Sequence, residues 1–509
     1  MINKSNFNFN ILIIIYTCLL MLFCTKASPF LNIISGDSSV FFAVGRAMTK
    51  GKIVFKELFD HKGFYLYLLN YTAALISDKS SLGIFIVETC FMIISALMIF
   101  KTCRIFYRDE KIAFLTVAAL MIFILSKDIL QEGNLTEEYT LTLQLISIYL
   151  LLKDLYQDNS RHRPLYMLDQ GVLAGIAIGF RPNAALIWLP IAVLIGFDLL
   201  FINRGIKLFF KNLFCGLAGL AIGLAPMIIY CVINDALADM IFCVFKFNML
   251  YVDNGLNFII ILKRIIAAVA MPVHRALFII ILISALFIYK SNSVKFYNKL
   301  YYFAMLAASI IAVSLSGRRY GHYYEYIVPF CMPAVIEISA KIIELKPQLK
   351  YRYRYLFIII FIASCYPNTA TLARIGRLLS PALRQYMDNN NIMLKCAEIN
   401  INKKYFSPDE KVLITGFNHE FYNYMNLIPS EKYFYIPAIS YKLFPDAVDA
   451  QINSILSCKN DVIIIRFQDD AKIFPEANRD SEIKEVLNNY YDLLFSDEQN
   501  KVEMYGKKR

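Results

Sequence analysis

Apolar residues in this chain gather into long runs, with polar and charged residues collected between them. Runs of roughly 17–25 apolar residues are long enough to cross a bilayer as helices. They predict about eleven spans, at 10–27, 81–102, 111–127, 137–153, 165–181, 184–202, 209–233, 272–290, 299–316, 323–342 and 355–368. Two shorter stretches after the first span read differently. Residues 37–50 form a short amphipathic helix, with Val40, Phe41, Val44 and Met48 on one face, Asp37 or Ser38 capping the start and Gly51 ending it. Residues 64–76 are apolar and tyrosine-rich but too short to cross comfortably, and Tyr65, Tyr67 and Tyr71 suit the headgroup level. Both are expected to lie along the outer surface of the membrane.

The charges between the runs fix an expected orientation. Lys101, Arg104, Arg108 and Lys111 mark one loop, and Lys153, Arg161 and Arg163 the next. Arg204, Lys207 and Lys211 mark a third, Lys290, Lys295 and Lys299 a fourth, and Lys341, Lys346, Lys350, Arg352 and Arg354 a fifth. With the spans counted as above, all five fall on the side of Lys4, the cytoplasmic side by the positive-inside rule. Counting 64–76 as a span would reverse every later loop. The loops 35–63, 127–136 and 234–256, the turn 316–322 and the tail are then extracytoplasmic. The first apolar run has only Lys4 as a basic flank and no convincing small-residue cleavage site, so it reads as an uncleaved helix.

From about residue 374 the pattern changes. Residues 374–402 read as polar helix. Short β-rich runs follow at 411–416 (KVLITG), 433–437 and 461–467 (DVIIIRF), with helical patterns at 447–456 and 481–490 and a last strand at 501–507. This alternation predicts a small α/β domain. The expected organisation is a membrane domain over 1–370, a connecting helical segment over 371–402 and an extracytoplasmic α/β domain over 403–509. No G-x-G-x-x-G follows KVLITG, which argues against dinucleotide binding. No internal repeat is visible in the membrane part, which weakens an inverted-repeat transporter reading.

Composition changes this picture little. The chain is 58% hydrophobic over 509 residues, against about 45–50% in soluble domains. Its net charge of +12 sits mostly in the inter-span loops, so no nucleic-acid partner is expected. The eleven cysteines lie mostly inside apolar segments without a C-x-x-C pair and read as small buried hydrophobes. Cys396 and Cys458, in the polar tail, are left open as a pair.

Ionisable groups at a membrane boundary are expensive to place, which makes the charged loop 35–63 the first place to look for chemistry. Its run G-D-S-S-x-F-x-x-x-G-R-A-M-x-x-G-K at 36–52, followed by F-D-H-K-G at 59–63, resembles the first outer loop of GT-C glycosyltransferases. The relatives meant are the bacterial enzymes akin to protein O-mannosyltransferases and the lipid A aminoarabinose transferase. G-N-L-T-E-E-Y at 133–139, G-F-R-P-N at 179–183 and G-R-R-Y-G-H-Y-Y at 317–324 extend the resemblance over most of the chain. It departs at Phe64, where relatives generally carry Pro. The expected fold is therefore a GT-C-like polytopic α-helical membrane protein with two surface helices in its first outer loop and a C-terminal α/β domain.

The resemblance implies that Asp37 is the general base, taking the proton of an acceptor hydroxyl as that oxygen attacks the anomeric carbon. The alternative is that Asp37 is only a helix N-cap, and the two roles are compatible. The leaving group is a lipid phosphate whose charge grows as the bond breaks, so cations must face it. Lys62 matches the family position. Arg181, Arg318 and Arg319 are further candidates, with interfacial snorkelling the alternative for the adjacent pair. His322 and Tyr323 are expected to hydrogen-bond the phosphate, or His322 to be structural. Asp60 and His61 position Lys62 or contact the sugar. Glu137 and Glu138 orient donor or acceptor, unless they only complement a helix N-terminus. No D-x-D is present, so no metal or other cofactor is required, although a carboxylate set such as Asp37 with Glu137 could bind a divalent ion weakly. His419 and Glu420 read as surface residues. The implied activity is inverting transfer of a sugar from a polyprenyl-phosphate donor to a cell-envelope acceptor. The partners are that donor, that acceptor and the lipid bilayer. The alternative is a transporter or flippase of polyprenyl-linked glycans, which predicts charged residues along the middle of several spans.

Overall fold

The structure is a computed structural model. It describes residues 8–157, 162–251, 272–315, 320–344, 380, 410–416, 419–467, 473–499 and 501–508. The chain is a multi-pass membrane protein. Ten of the eleven expected spans coincide with apolar helices: Phe9–Cys24, Leu82–Phe106, Glu110–Ile124, Thr136–Tyr156, Pro164–Phe180, Pro182–Ile202, Ile206–Ile233, Pro272–Lys290, Phe296–Leu315 and Gly321–Glu344. Five of these are by themselves long and apolar enough to cross a membrane: Leu82–Phe106, Pro182–Ile202, Ile206–Ile233, Phe296–Leu315 and Gly321–Glu344. The eleventh, at 355–368, lies outside the described residues, as does the 374–402 segment apart from Ser380.

The chain forms two compact units. The first combines Met1–Leu31, Phe85–Tyr230 and Val252–Arg374. Within it Thr136–Tyr156 packs against Pro164–Phe180 and against the segment Gly321–Cys331. That segment is 3-10 helix for eleven residues before it becomes the α-helix Met332–Glu344. Such a length is unusual, because the tighter helix has poorer hydrogen bonds and eclipses side chains three apart. Here Pro329 removes one amide donor. Pro164–Phe180 and Ile206–Ile233 meet through glycines: a Cβ on Gly171 would lie 2.1 Å from the Gly216 carbonyl oxygen, and one on Gly219 2.1 Å from that of Leu168. Only side chains without a Cβ allow two backbones this close.

The second unit draws on Asn32–Ile84, Cys231–Tyr251 and Ile375–Arg509. The two expected short helices are present as Asp37–Thr49 and Phe64–Ile76. They pack so closely that a Cβ on Gly45 would meet the Asn70 carbonyl carbon at 2.4 Å. Residues 237–251 correct the expectation of a loop at 234–256. They are helical, with a π segment at Phe242–Lys246. Met240, Cys243, Val244 and Phe247 are buried at spacings of three and four, which is the apolar stripe of a helix.

The tail forms a four-stranded sheet, β1 (Val412–Ile414), β2 (Val462–Arg466), β3 (Tyr491–Asp497) and β4 (Val502–Lys507), in the order β1-β2-β4-β3. β1 and β2 are parallel, with Leu413 opposite Ile463. β4 runs antiparallel to both neighbours, and a register irregularity lies between Leu493 and Phe495 of β3. The helices Asp446–Leu456 and Asp480–Tyr490 bury Ile452, Ile455, Ile483 and Leu487 against Leu413, Ile463 and Ile465. Two expectations are revised. Residues 433–437 are irregular, while Tyr491–Asp497 is a strand. Phe434 and Tyr435 are buried, in aromatic contact with Tyr422 and His419 respectively.

Candidate active site

The second unit holds the first-loop candidates. Gly36 is the N-cap of Asp37–Thr49, with φ 58° and ψ −145°, a combination essentially reserved for glycine. Asp37 is therefore in the first turn, and the expectation that its side chain caps the helix is not met. The Ser39 hydroxyl instead donates to the Gly36 carbonyl at 2.9 Å. The Asp37 carboxylate is half-buried and, among the described residues, accepts no hydrogen bond and makes no ion pair.

Asp60 is buried and saturated with donors. It accepts from the His61 amide at 2.7 Å, the Tyr67 hydroxyl at 2.8 Å and the Tyr435 hydroxyl at 2.6 Å. Burial alone would push its carboxyl up. The hydrogen bond from His61, the Lys62 cation and the Tyr435 hydroxyl outweigh burial and hold it below the usual carboxylate range. His61 Nε2 lies 2.8 Å from Lys62 Nζ. An ammonium can only donate, so Nε2 accepts and the ring proton sits on Nδ1, which faces Asp60 Oδ1 at 3.3 Å. Burial, and then the Lys62 cation, hold the imidazole below the ordinary histidine value, which agrees with a neutral ring. The Lys62 ammonium rests over the Phe41 ring, 5.7 Å from its centroid. Phe41 is four residues from Asp37, one turn along the same helix face. The chain Asp60–His61–Lys62 thus places a cation beside the helix that starts at Asp37.

The tail contributes to this loop. His419 Nε2 donates to the Gly36 carbonyl at 2.8 Å, and Glu420 Oε1 accepts from the Gly36 amide at 2.9 Å. Asn423 donates to the Ser39 carbonyl at 2.8 Å, and Arg46 to the Tyr422 carbonyl at 2.9 Å. The reading of His419 as a surface residue is therefore corrected: it is 1% exposed. Glu420 is tied to the loop by its carboxylate. Phe59 joins all three stretches of the unit, stacked on Phe444 at 5.4 Å and edge-on to Phe247 at 5.1 Å, with its amide donating to the Lys432 carbonyl at 2.8 Å.

The first unit holds a separate cluster. Glu137 and Glu138 open the helix Thr136–Tyr156 and both are buried. Glu137 pairs with Arg181 and accepts from the Thr136 hydroxyl at 2.7 Å. Arg181 ends Pro164–Phe180, and its guanidinium carbon sits 4.6 Å from the centroid of the Tyr323 ring. His322 Nδ1 donates to Gln131 Oε1 at 2.6 Å, and its Nε2 lies 3.9 Å from Glu137 Oε2. Glu138 turns away from this group and accepts from the Asn134 amide at 2.8 Å. The structure thus joins Glu137, Arg181, His322 and Tyr323 in one unit, and Asp37, Asp60, His61 and Lys62 in the other. Arg318 and Arg319 lie outside the described residues. Among the described residues no group of three or more His, Cys, Asp or Glu has the geometry to hold a metal ion.

The sequence reading placed Tyr67 only at the headgroup level, did not name Tyr435, Gln131 or Thr136 as site residues, and put His419 and Glu420 on the surface. A tyrosine or histidine in a polar tail carries no periodic signal. Only the fold shows that it meets residues almost 400 positions away.

Comparison with known proteins bears on the fold. The profile of the dolichyl-phosphate-mannose-protein mannosyltransferase family matches residues 60–230. No curated protein matches the chain by sequence. The crystal structure of ArnT from Cupriavidus metallidurans bound to undecaprenyl phosphate superposes with a TM-score of 0.63 at 12% identity, over 97% of each chain. The same enzyme in the apo state gives 0.59 at 11% identity, over 98% of this chain and 97% of that one. The fold of this chain is similar to that of ArnT, a GT-C fold of the kind that the motifs of the first loop resemble.

Proposed function

We propose that the protein is an inverting membrane glycosyltransferase that moves a sugar from a polyprenyl-phosphate donor to an envelope acceptor on the extracytoplasmic side. The observation that carries the reading is the Asp37 carboxylate: half-buried, without hydrogen bond or ion pair among the described residues, on a helix whose Phe41, one turn on, carries the Lys62 ammonium over its ring, in a chain with this fold. A carboxylate left without donors keeps its lone pairs for an acceptor hydroxyl. In the proposed step the acceptor oxygen attacks the anomeric carbon and its proton passes to Asp37. The bond from that carbon to the phosphate oxygen breaks, and the electron pair leaves with the lipid phosphate. Lys62 faces the charge that develops on the phosphate. Asp60 and His61 hold Lys62 in place, because His61 accepts from the ammonium on one nitrogen and faces Asp60 with the other.

We assign to Arg181, His322 and Tyr323 a part in holding donor phosphate, with Glu137 orienting the Arg181 fork. The donor class is supported by the undecaprenyl phosphate bound to ArnT in the structure with this fold. Eleven spans, a cytoplasmic N-terminus and an extracytoplasmic tail complete the proposed topology, supported by the single-sided placement of the basic loops.

The test is sugar transfer from polyprenyl-phosphate donors in membranes carrying Asp37→Asn. The isosteric amide cannot take the proton, so transfer should fall by about two orders of magnitude or more while protein level and melting stay as in the parent. Transfer at the parental rate would remove Asp37 as the base. Movement of lipid-linked sugar across liposomes by the purified protein, without glycosidic bond formation, would favour a flippase instead.

A further inference from the structure

The polar tail reaches the backbone at the start of the Asp37 helix. Gly36, the residue before Asp37, is gripped on both sides: its amide donates to Glu420 Oε1 at 2.9 Å and its carbonyl accepts from His419 Nε2 at 2.8 Å. One peptide segment is thus held by two adjacent side chains of another. Gly36 sits at φ 58° and ψ −145°, one of the several conformations open to a residue without a Cβ, so its contacts decide which one it keeps. The two tail contacts make that selection: among the described residues the other hydrogen bonds to Gly36 are those of Ser39 one turn on, its amide at 3.0 Å and its hydroxyl at 2.9 Å. A change in the Gly36 dihedrals rotates the Cα–Cβ bond of Asp37 directly. Asn423 also binds this helix, but at the Ser39 carbonyl, and does not touch the Gly36 peptide.

We infer that His419 and Glu420 of the C-terminal domain are positioning residues, which set the Asp37 carboxylate in its working pose by clamping the backbone of Gly36. The inference rests on the reading of Asp37 as the base, and it assigns the tail a share in turnover. Neither residue touches the reacting atoms. The clamp needs only an acceptor at Glu420 and a donor at His419, so their charge is not used. Glu420→Gln retains a carbonyl oxygen for the Gly36 amide, and His419→Gln retains an N–H for the Gly36 carbonyl. The alanine variants retain neither.

The experiment measures kcat and donor KM for the full-length protein in proteoliposomes, with melting temperature recorded for each variant. Glu420→Ala and His419→Ala should each lower kcat about tenfold or more, as expected when a catalytic group moves by a fraction of an ångström, with donor KM within about twofold. Glu420→Gln and His419→Gln should restore most of the lost kcat. Asn423→Ala loses a tail-to-helix hydrogen bond without touching Gly36, and should keep near-parental kcat at a comparable loss of melting temperature. If all three alanine variants lose activity in proportion to melting temperature, the tail is only a structural support and the inference falls. If both clamp variants turn over at the parental rate while Asp37→Asn is inactive, the inference falls and the glycosyltransferase reading stands. If Asp37→Asn is itself active, it is the reading of Asp37 that falls.

Discussion

Gly321→Ala is a small change with a large expected effect, because the space for one methyl group is already filled. Gly321 begins the 3-10 segment that carries His322 and Tyr323. A Cβ at this position would lie 1.7 Å from the Asp128 carbonyl oxygen and 3.0 Å from Gln131 Nε2. Contacts below about 3 Å are not tolerated, so segment and short helix must separate by more than ~1 Å. The obstacle is backbone of the Lys127–Leu130 helix, so no side-chain rotation relieves it. His322 would be drawn from Gln131 Oε1, and Tyr323 from the face of Arg181. Overpacking of this kind costs about 1–3 kcal/mol of stability. Misplacing a substrate-holding group by ~1 Å costs about a hundredfold in rate, or ~2.7 kcal/mol at the transition state. The assay pairs melting temperature in detergent with transfer from a polyprenyl-phosphate donor. Gly196→Ala is the control: its Cβ would meet only the movable ring of Phe209 at 3.3 Å. If Gly321→Ala matches the parent in both measurements, the 3-10 segment does not lie against Asp128 as described, and the grouping of His322, Tyr323, Arg181 and Glu137 loses its support.

Two further predictions follow from buried charge. Arg181→Ala leaves Glu137 buried without its partner and should destabilise the protein by about 3–5 kcal/mol, whereas adding Glu137→Gln should recover much of that loss; equal stability of the single and double variants would refute the pairing. His162, between two spans, donates from Nδ1 to Asp154 at 2.8 Å and from Nε2 to Asp198 at 2.6 Å, and needs both protons to do so. Burial lowers its pKa, but the hydrogen bonds and charges of Asp154 and Asp198 outweigh burial and raise it. A raised folded-state value means stability that is complete below the unfolded histidine pKa and is lost as pH rises through the folded one. Melting temperature should therefore fall on the alkaline side in the parent and not in His162→Gln; the same slope in both would refute the assignment.

How much of this was legible in the sequence depended on the range of the interaction. The spans were legible, because each is a local run whose length and apolarity state its environment. Asp37–Thr49 was legible from an apolar stripe periodic over a dozen residues, and Phe64–Ile76 as an apolar, tyrosine-rich run too short to span. The helix at 237–251 was missed because Asp239, Lys246 and Asn248 break its apolar runs, although Met240, Val244 and Phe247 keep helical spacing. The strand Tyr491–Asp497 was missed because its alternation is interrupted where Leu493 and Leu494 stand together, next to the register irregularity.

The candidate site divides in the same way. Asp37, Lys62, Arg181 and His322 were picked out as candidates through local motifs, since a loop that meets a charged ligand concentrates polar residues in short stretches. What such a motif does not reveal is the partner of each group. Whether Asp37 was a cap or a free carboxylate turned on the single residue before it: Gly36 takes the N-cap position and puts Asp37 inside the first turn, where among the described residues its carboxylate accepts no hydrogen bond. Asp60, by contrast, looks like its equal in sequence, yet three donors from Tyr67, Tyr435 and its own loop make it a fixed anion unsuited to accepting a proton. Two aspartates 23 positions apart therefore differ in role through hydrogen bonds alone. One of the donors that decides the difference comes from a tail whose own sequence carries no sign of the contact.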